Sequence, residues 1–145
     1  MMTFGNHRNR VFTALLGVVL AGVVTSCIGA ISNGSIVYHR TGGFTGLDDR
    51  LTIDANLKAT VVRKTGRQEF VLEQGIGNRL EQQLNQAQFT QLKKEYMPPT
   101  TCCDLFEYTI TYMGHTVRTM DTAVPESLQP VLDTLNEIIE TSRTP

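Results

Sequence analysis

Three patterns in the 145-residue chain predict an α+β fold, an antiparallel sheet of about six strands with two amphipathic helices packed on one face. Residues 36 to 72 place short runs rich in β-branched residues between turn residues. Residues 106 to 112 alternate strictly between apolar and polar, and two later stretches repeat apolar residues at steps of three and four.

Ile36-Val37-Tyr38-His39-Arg40 is the first expected strand, followed by the glycine-rich loop Thr41-Gly42-Gly43-Phe44-Thr45-Gly46 and a second strand at Leu51-Thr52-Ile53-Asp54. Asp54-Ala55-Asn56 should turn into a third strand, in which Ala59, Val61 and Arg63 alternate with Thr60, Val62 and Lys64. Thr65-Gly66 turns again into Glu69-Phe70-Val71-Leu72, which completes a four-strand antiparallel meander. The period then changes to helical. Leu80, Leu84 and Ala87 form a stripe, with Asn78 expected as N-cap and Glu81 three residues on to return the bond. Phe89, Leu92 and Tyr96 extend the stripe until Pro98-Pro99, which has no N–H to donate, forbids more helix.

Phe106, Tyr108, Ile110 and Tyr112 alternate with Glu107, Thr109 and Thr111, and Met113-Gly114-His115 turns into the hairpin partner Thr116 to Met120. Leu128, Val131, Leu132, Leu135, Ile138 and Ile139 mark a second helix. Its N-cap is expected at Ser127, which places Pro130 in the first turn, where proline is tolerated. Nothing repeats at a fixed period.

Charge excludes one large class of function. With 13 basic and 14 acidic residues, the chain has no basic face to release counterions from nucleic acid. The distribution is uneven: residues 1 to 26 hold Arg8 and Arg10 and no acid, leaving a mildly acidic body. Residues 1 to 10 are polar and basic, and Val11 to Val24 is an uncharged apolar run, the layout of a secretory signal. The run ends in Val24-Thr25-Ser26-Cys27, which resembles the lipobox of bacterial lipoproteins. That resemblance implies a signal peptide over 1–26 and a Cys27 acylated by palmitate-class chains, which becomes the first residue of a lipidated tether over 27–35. Several such chains, at about 0.8 kcal/mol per buried CH₂, hold a protein on a membrane in effect permanently. The competing reading is an uncleaved signal anchor over Val11 to Ile31. Both place the body, one expected domain over 36–142, outside the cytoplasm. Ile28 stands where an inner-membrane retention signal would place Asp, so in a diderm host the expected destination is the outer membrane.

The residues offer no catalytic constellation: no His-Glu-x-x-His, Gly-x-Ser-x-Gly, Walker loop or dinucleotide fingerprint occurs, so no enzyme and no cofactor is expected. His39 and His115 sit beside expected turns and lack a third ligand at metal spacing, while Asp48-Asp49 and Asp54 only loosely resemble Ca²⁺ ligands. No metal site is expected. Cys102-Cys103 admits three readings: thiols on opposite faces at the start of a strand, a strained vicinal disulfide, or a metal pair with His115.

The better functional candidate is Gly42-Gly43-Phe44-Thr45-Gly46-Leu47. Three glycines permit positive φ and close backbone approach, while Phe44 and Leu47 are bulky apolar side chains, either folded back as a lid on the core or held out for a partner. The order of motifs resembles the emfourins, small protein inhibitors of protealysin and other thermolysin-like zinc metallopeptidases. It runs from Tyr38-His39-Arg40-Thr41-Gly42-Gly43-Phe44-Thr45-Gly46 through Ile53-Asp54, Phe89 and Leu92, and Asp104 before Tyr108-Thr109-Ile110. It ends in His115-Thr116-Val117 before Asp121, Pro125 and Leu128. The similarity covers roughly residues 36 to 139; the lipoprotein signal and Cys102-Cys103 depart from the family pattern. It implies an inhibitor or binding module for such a peptidase; with the lipobox, the expected protein is membrane-anchored, and the 42–47 loop is its expected partner-binding segment. The alternative is a non-catalytic cell-envelope interaction protein with no peptidase target.

Overall fold

A computed structural model describes residues 34–100 and 104–143. Seven strands form one sheet: β1 (Ile36–Gly42), β2 (Leu47–Ile53), β3 (Lys58–Arg63), β4 (Gly66–Val71), β5 (Glu95–Tyr96), β6 (Phe106–Tyr112) and β7 (His115–Met120). Their order is β4-β3-β2-β1-β6-β7-β5, so the meander and the later hairpin join through β1 and β6. Every pairing is antiparallel except the short β5 beside β7. This is the expected α+β architecture with one strand more than six.

Strand parity sorts the side chains. Ile36 and Tyr38 of β1, Leu51 and Ile53 of β2, Ala59 and Val61 of β3, and Ile110 and Tyr112 of β6 are all buried on one face. Two helices cover that face, α1 (Gln74–Gln86) with Leu80 and Leu84, and α2 (Gln129–Thr141) with Val131, Leu132, Leu135, Ile138 and Ile139. One cluster contains all of these side chains and runs from Ile36 to Ile139. At about 25 cal/mol per Å² of apolar surface removed from water, it is the main source of stability.

The first helix differs from its expectation at both ends. It starts at Gln74 after Glu73, with no side-chain cap bond, so Asn78 lies inside the helix and is not its N-cap. It stops at Ala87 because Gln88 adopts left-handed backbone, φ 48°. Phe89–Gln91 is a 3₁₀ turn, Leu92 is extended, and Tyr96 sits in β5, so the apolar spacing of Phe89, Leu92 and Tyr96 is not helical. Phe89 still reaches the core, edge-on to Tyr112 at 6.1 Å between centroids. A 3₁₀ turn at Glu126–Leu128 precedes α2, so Leu128 and not Ser127 is the flanking residue, and Pro130 does fall in the first turn.

The strands also begin earlier than their apolar residues suggest, β2 at Leu47 and β4 at Gly66, because paired backbone extends through the polar residues next to the turns. The signal segment 1–26, Cys27 and the tether to residue 33, and Cys102 and Cys103, lie outside the described residues. Among the described residues, no helix is long and apolar enough to cross a membrane.

Candidate functional site

The loop between β1 and β2 is four residues long, Gly43 to Gly46, closed by the Gly46 N–H donating to the Gly43 carbonyl at 2.8 Å. Gly42, Gly43 and Gly46 have φ of 105°, 70° and 58°, a region costly to other residues. Close packing adds a second reason for glycine at 42 and 43. A Cβ on Gly42 would meet the Leu105 carbonyl oxygen, and one on Gly43 would meet the ring of Phe106. On its other side, Lys64 Nζ donates to the Gly46 carbonyl at 2.5 Å.

Phe44 stands at the tip of this pinned loop, 94% exposed. Of the two readings open to it, a lid on the core is excluded by that exposure. Thr45 and Gly46 continue the loop, and Leu47, half-buried, pairs with Gly42 as the first residue of β2.

Behind the loop lies a cluster of charges. Arg40 and Asp49, 7% and 2% exposed, occupy inward positions of β1 and β2. Arg40 donates from Nη2 to Asp49 Oδ2 at 2.7 Å and to Glu140 Oε1 at 2.9 Å, and from Nη1 to Asn136 Oδ1 at 3.1 Å. Tyr38 donates to the same Asn136 oxygen at 2.8 Å. Arg143 reaches Asp49 Oδ2 at 3.3 Å, and Arg63 binds the end of α2 through the Ile139 carbonyl and Ser142 Oγ. Burial disfavours the charge on Arg40, but the bonds from Asp49 and Glu140 outweigh it and hold its proton more tightly than usual. The Arg40 guanidinium also lies 6.0 Å from the centroid of the Phe106 ring. Phe106 thus has Gly43 against its edge and Arg40 over its face, so the loop and the buried charges share one support.

A second set of bonds fixes the start of β6. Asp121 accepts from Phe106 N at 2.8 Å and from Tyr108 Oη at 2.5 Å. Burial, then the Asp121 bond and charge, raise the Tyr108 phenol above its ordinary pKa. Burial raises that of Tyr38 as well, against the pull of Arg40.

The two histidines are engaged locally. His39 Nε2 bonds Asp48 Oδ1 at 2.7 Å, which lowers the Asp48 carboxyl below its usual range. His115 Nε2 donates to the Leu92 carbonyl at 2.9 Å and meets Phe89 edge-on. Asp54 accepts from the backbone N–H groups of Asn56 and Lys58, so it organises the turn between β2 and β3. Among the described residues, no group of three His, Cys, Asp or Glu side chains could hold a metal ion.

Sequence reasoning missed the Arg40, Asp49, Arg63 cluster, though parity could have found it. Arg40 is in step with Ile36 and Tyr38, Asp49 with Leu51 and Ile53, and Arg63 with Ala59 and Val61. Three charges on the inward side of adjacent strands must meet or remain unpaired. No known family matches the chain, and no curated protein matches it.

Proposed function

We propose that the protein is a membrane-anchored, extracytoplasmic lipoprotein that acts as an inhibitor of, or binding module for, a thermolysin-like zinc metallopeptidase. The observation that carries this reading is Phe44, a large apolar side chain held in water on a loop whose backbone is fixed on both sides. Peptidases of that class favour a bulky apolar residue just after the scissile bond. Phe44 would enter that pocket while the adjacent carbonyls approach the zinc. A rigid loop loses little freedom on binding, and a central aromatic anchor contributes about 2 kcal/mol or more. The resemblance to the emfourins supports the peptidase as partner, and the lipobox around Cys27 supports the anchor.

The test is titration of residues 28–145, which contain every buried core residue of the described chain, against a panel of thermolysin-like peptidases. Inhibition at micromolar concentration or below is expected, with loss in Phe44→Ala. A parent protein that inhibits none of them overturns the reading.

The alternative, an envelope interaction protein without a peptidase target, draws on the sheet face opposite the two helices, where Val62 is exposed. Crosslinking in intact cells separates the two by whether a peptidase is among the partners.

A further inference from the structure

Beside the Phe44 loop, a cavity of about 510 Å³ opens between Thr45–Asp49, the β3–β4 turn at Lys64–Thr65 and Arg143 beyond α2. Four cationic side chains line it, Arg63, Lys64, Arg67 and Arg143, against two carboxylates, Asp48 and Asp49. Both carboxylates are already engaged, Asp49 by Arg40 and Arg143 and Asp48 by His39. The groups behind the lining leave the balance positive. Arg40 adds one cation, while Glu140 and Glu69, which pair with Arg143 and Arg67, add two anions. Five cations thus face four carboxylates.

Lys64 is the least satisfied member: its Nζ donates to the Gly46 carbonyl and, among the described residues, forms no ion pair with a carboxylate. Arg63 is already bonded through both Nη atoms, to Gln68 Oε1 at 2.9 Å and to the Ile139 carbonyl and Ser142 Oγ, and its buried Nε stands 3.9 Å from Asp49 Oδ1. An ammonium without a carboxylate partner, as at Lys64, suits a carboxylate or phosphate oxygen, which it binds as a point charge. The volume falls within the range of sites that enclose a small molecule or a few residues, and exceeds what one inorganic ion would fill.

We propose that this cavity binds a carboxylate on an acidic peptide segment, seated between Lys64 and Arg143. The proposal deepens the reading above and rests on it for the source of the segment. Thr45 and Gly46 line the cavity and directly follow Phe44, so a partner that takes the phenyl ring presents the residues beside its apolar pocket to these cations. An apolar pocket flanked by an acidic patch is therefore the partner surface that fits.

The experiment is calorimetric titration of the full-length chain in nonionic detergent with a capped tetra-glutamate peptide. Capped tetra-glutamine and inorganic phosphate serve as separate arms. A dissociation constant below about 1 mM is expected for tetra-glutamate, weakening as salt is raised, with none measurable for tetra-glutamine. Lys64→Gln and Arg143→Gln, both at exposed or half-exposed positions, should each weaken binding about tenfold while leaving the melting temperature near that of the parent. The proposal is overturned if tetra-glutamate does not bind, if both variants bind it as the parent does, or if only phosphate binds. No peptidase takes part, so failure of this titration is distinguishable from failure of the peptidase titration.

Discussion

A Cβ placed on Gly43 would lie 2.6 Å from Cε1 of the Phe106 ring, so the glycine and the phenyl ring occupy one space between them. With φ at +70°, residue 43 also holds a backbone conformation that a β-branched side chain strongly resists. Gly43→Val should therefore cost about 1–3 kcal/mol through the backbone alone, with more from the displaced ring. Thermal denaturation reads this as a fall of at least about 5 °C.

Phe44 predicts the opposite. Its ring is in water already, so Phe44→Ala should change stability by less than about 0.5 kcal/mol, where truncating a buried phenylalanine costs about 3–5. The same variant should lose peptidase inhibition. A melting temperature that drops with Phe44→Ala would mean that the ring supports the fold.

Removing one member of the buried ion pair should be costly. Asp49→Ala leaves Arg40 and Arg63 buried without their shared carboxylate, a loss of about 3–5 kcal/mol. In Arg40→Met/Asp49→Leu both charges go, and much of that stability should return. Chemical denaturation of Arg40→Met, Asp49→Leu and the double variant measures the coupling; additive losses would show that the two charges do not act as a pair.

Stability should also fail on the alkaline side. Tyr38 and Tyr108 hold their phenol protons more tightly when folded than the unfolded chain does, so the folded state binds more protons at high pH. Their contribution is complete below the ordinary tyrosine pKa of about 10 and is lost as pH rises beyond it towards the raised folded values. Melting temperature measured from pH 8 to 11.5 should bend downwards near pH 10. Tyr108→Phe should flatten the bend, while lowering the neutral-pH plateau by about 1 kcal/mol for the lost bond to Asp121.

Cys27→Ser tests the anchor. Metabolic labelling with a fatty acid should mark the parent and not the variant, and the variant should accumulate as uncleaved precursor. Label in the variant would place the lipid elsewhere.

What the sequence made legible follows from period and parity. The meander could be read because each of its turns carries Gly or an Asx residue between β-rich runs, and β6 because Phe106 to Tyr112 alternates without interruption. The helical spacing of Phe89, Leu92 and Tyr96 misled because a single left-handed residue, Gln88, breaks the helix while leaving the spacing intact. Nothing local marks glutamine for that conformation. β5 was invisible for a related reason: two residues have no period, and their pairing with Arg118 and Thr119 exists only in the assembled sheet. The loop at 42–47 was legible as glycine-rich and apolar, but the choice between lid and projecting ring depended on where Leu105 and Phe106 come to lie. The cavity beside it draws on three separate stretches of chain, which no local spacing brings together.

The strand β1 sets the orientation of the whole molecule. It begins at Ile36, next to the described residues Gly34 and Ser35, and ends at Gly42, about 20 Å away along seven residues of extended chain. If the chain is anchored ahead of Ile36, as proposed, it is gripped at one pole and does its proposed work at the other. A hand holding a tool by its handle is the right picture: the Phe44 loop and the basic cavity are the blade. If Cys27 is the grip, the blade faces outward from the bilayer, towards enzymes that diffuse past and not towards the lipid. Each tethered copy then sweeps a shell only as deep as its own length and that of a nine-residue leash, and within that shell its effective concentration is set by the leash and not by expression.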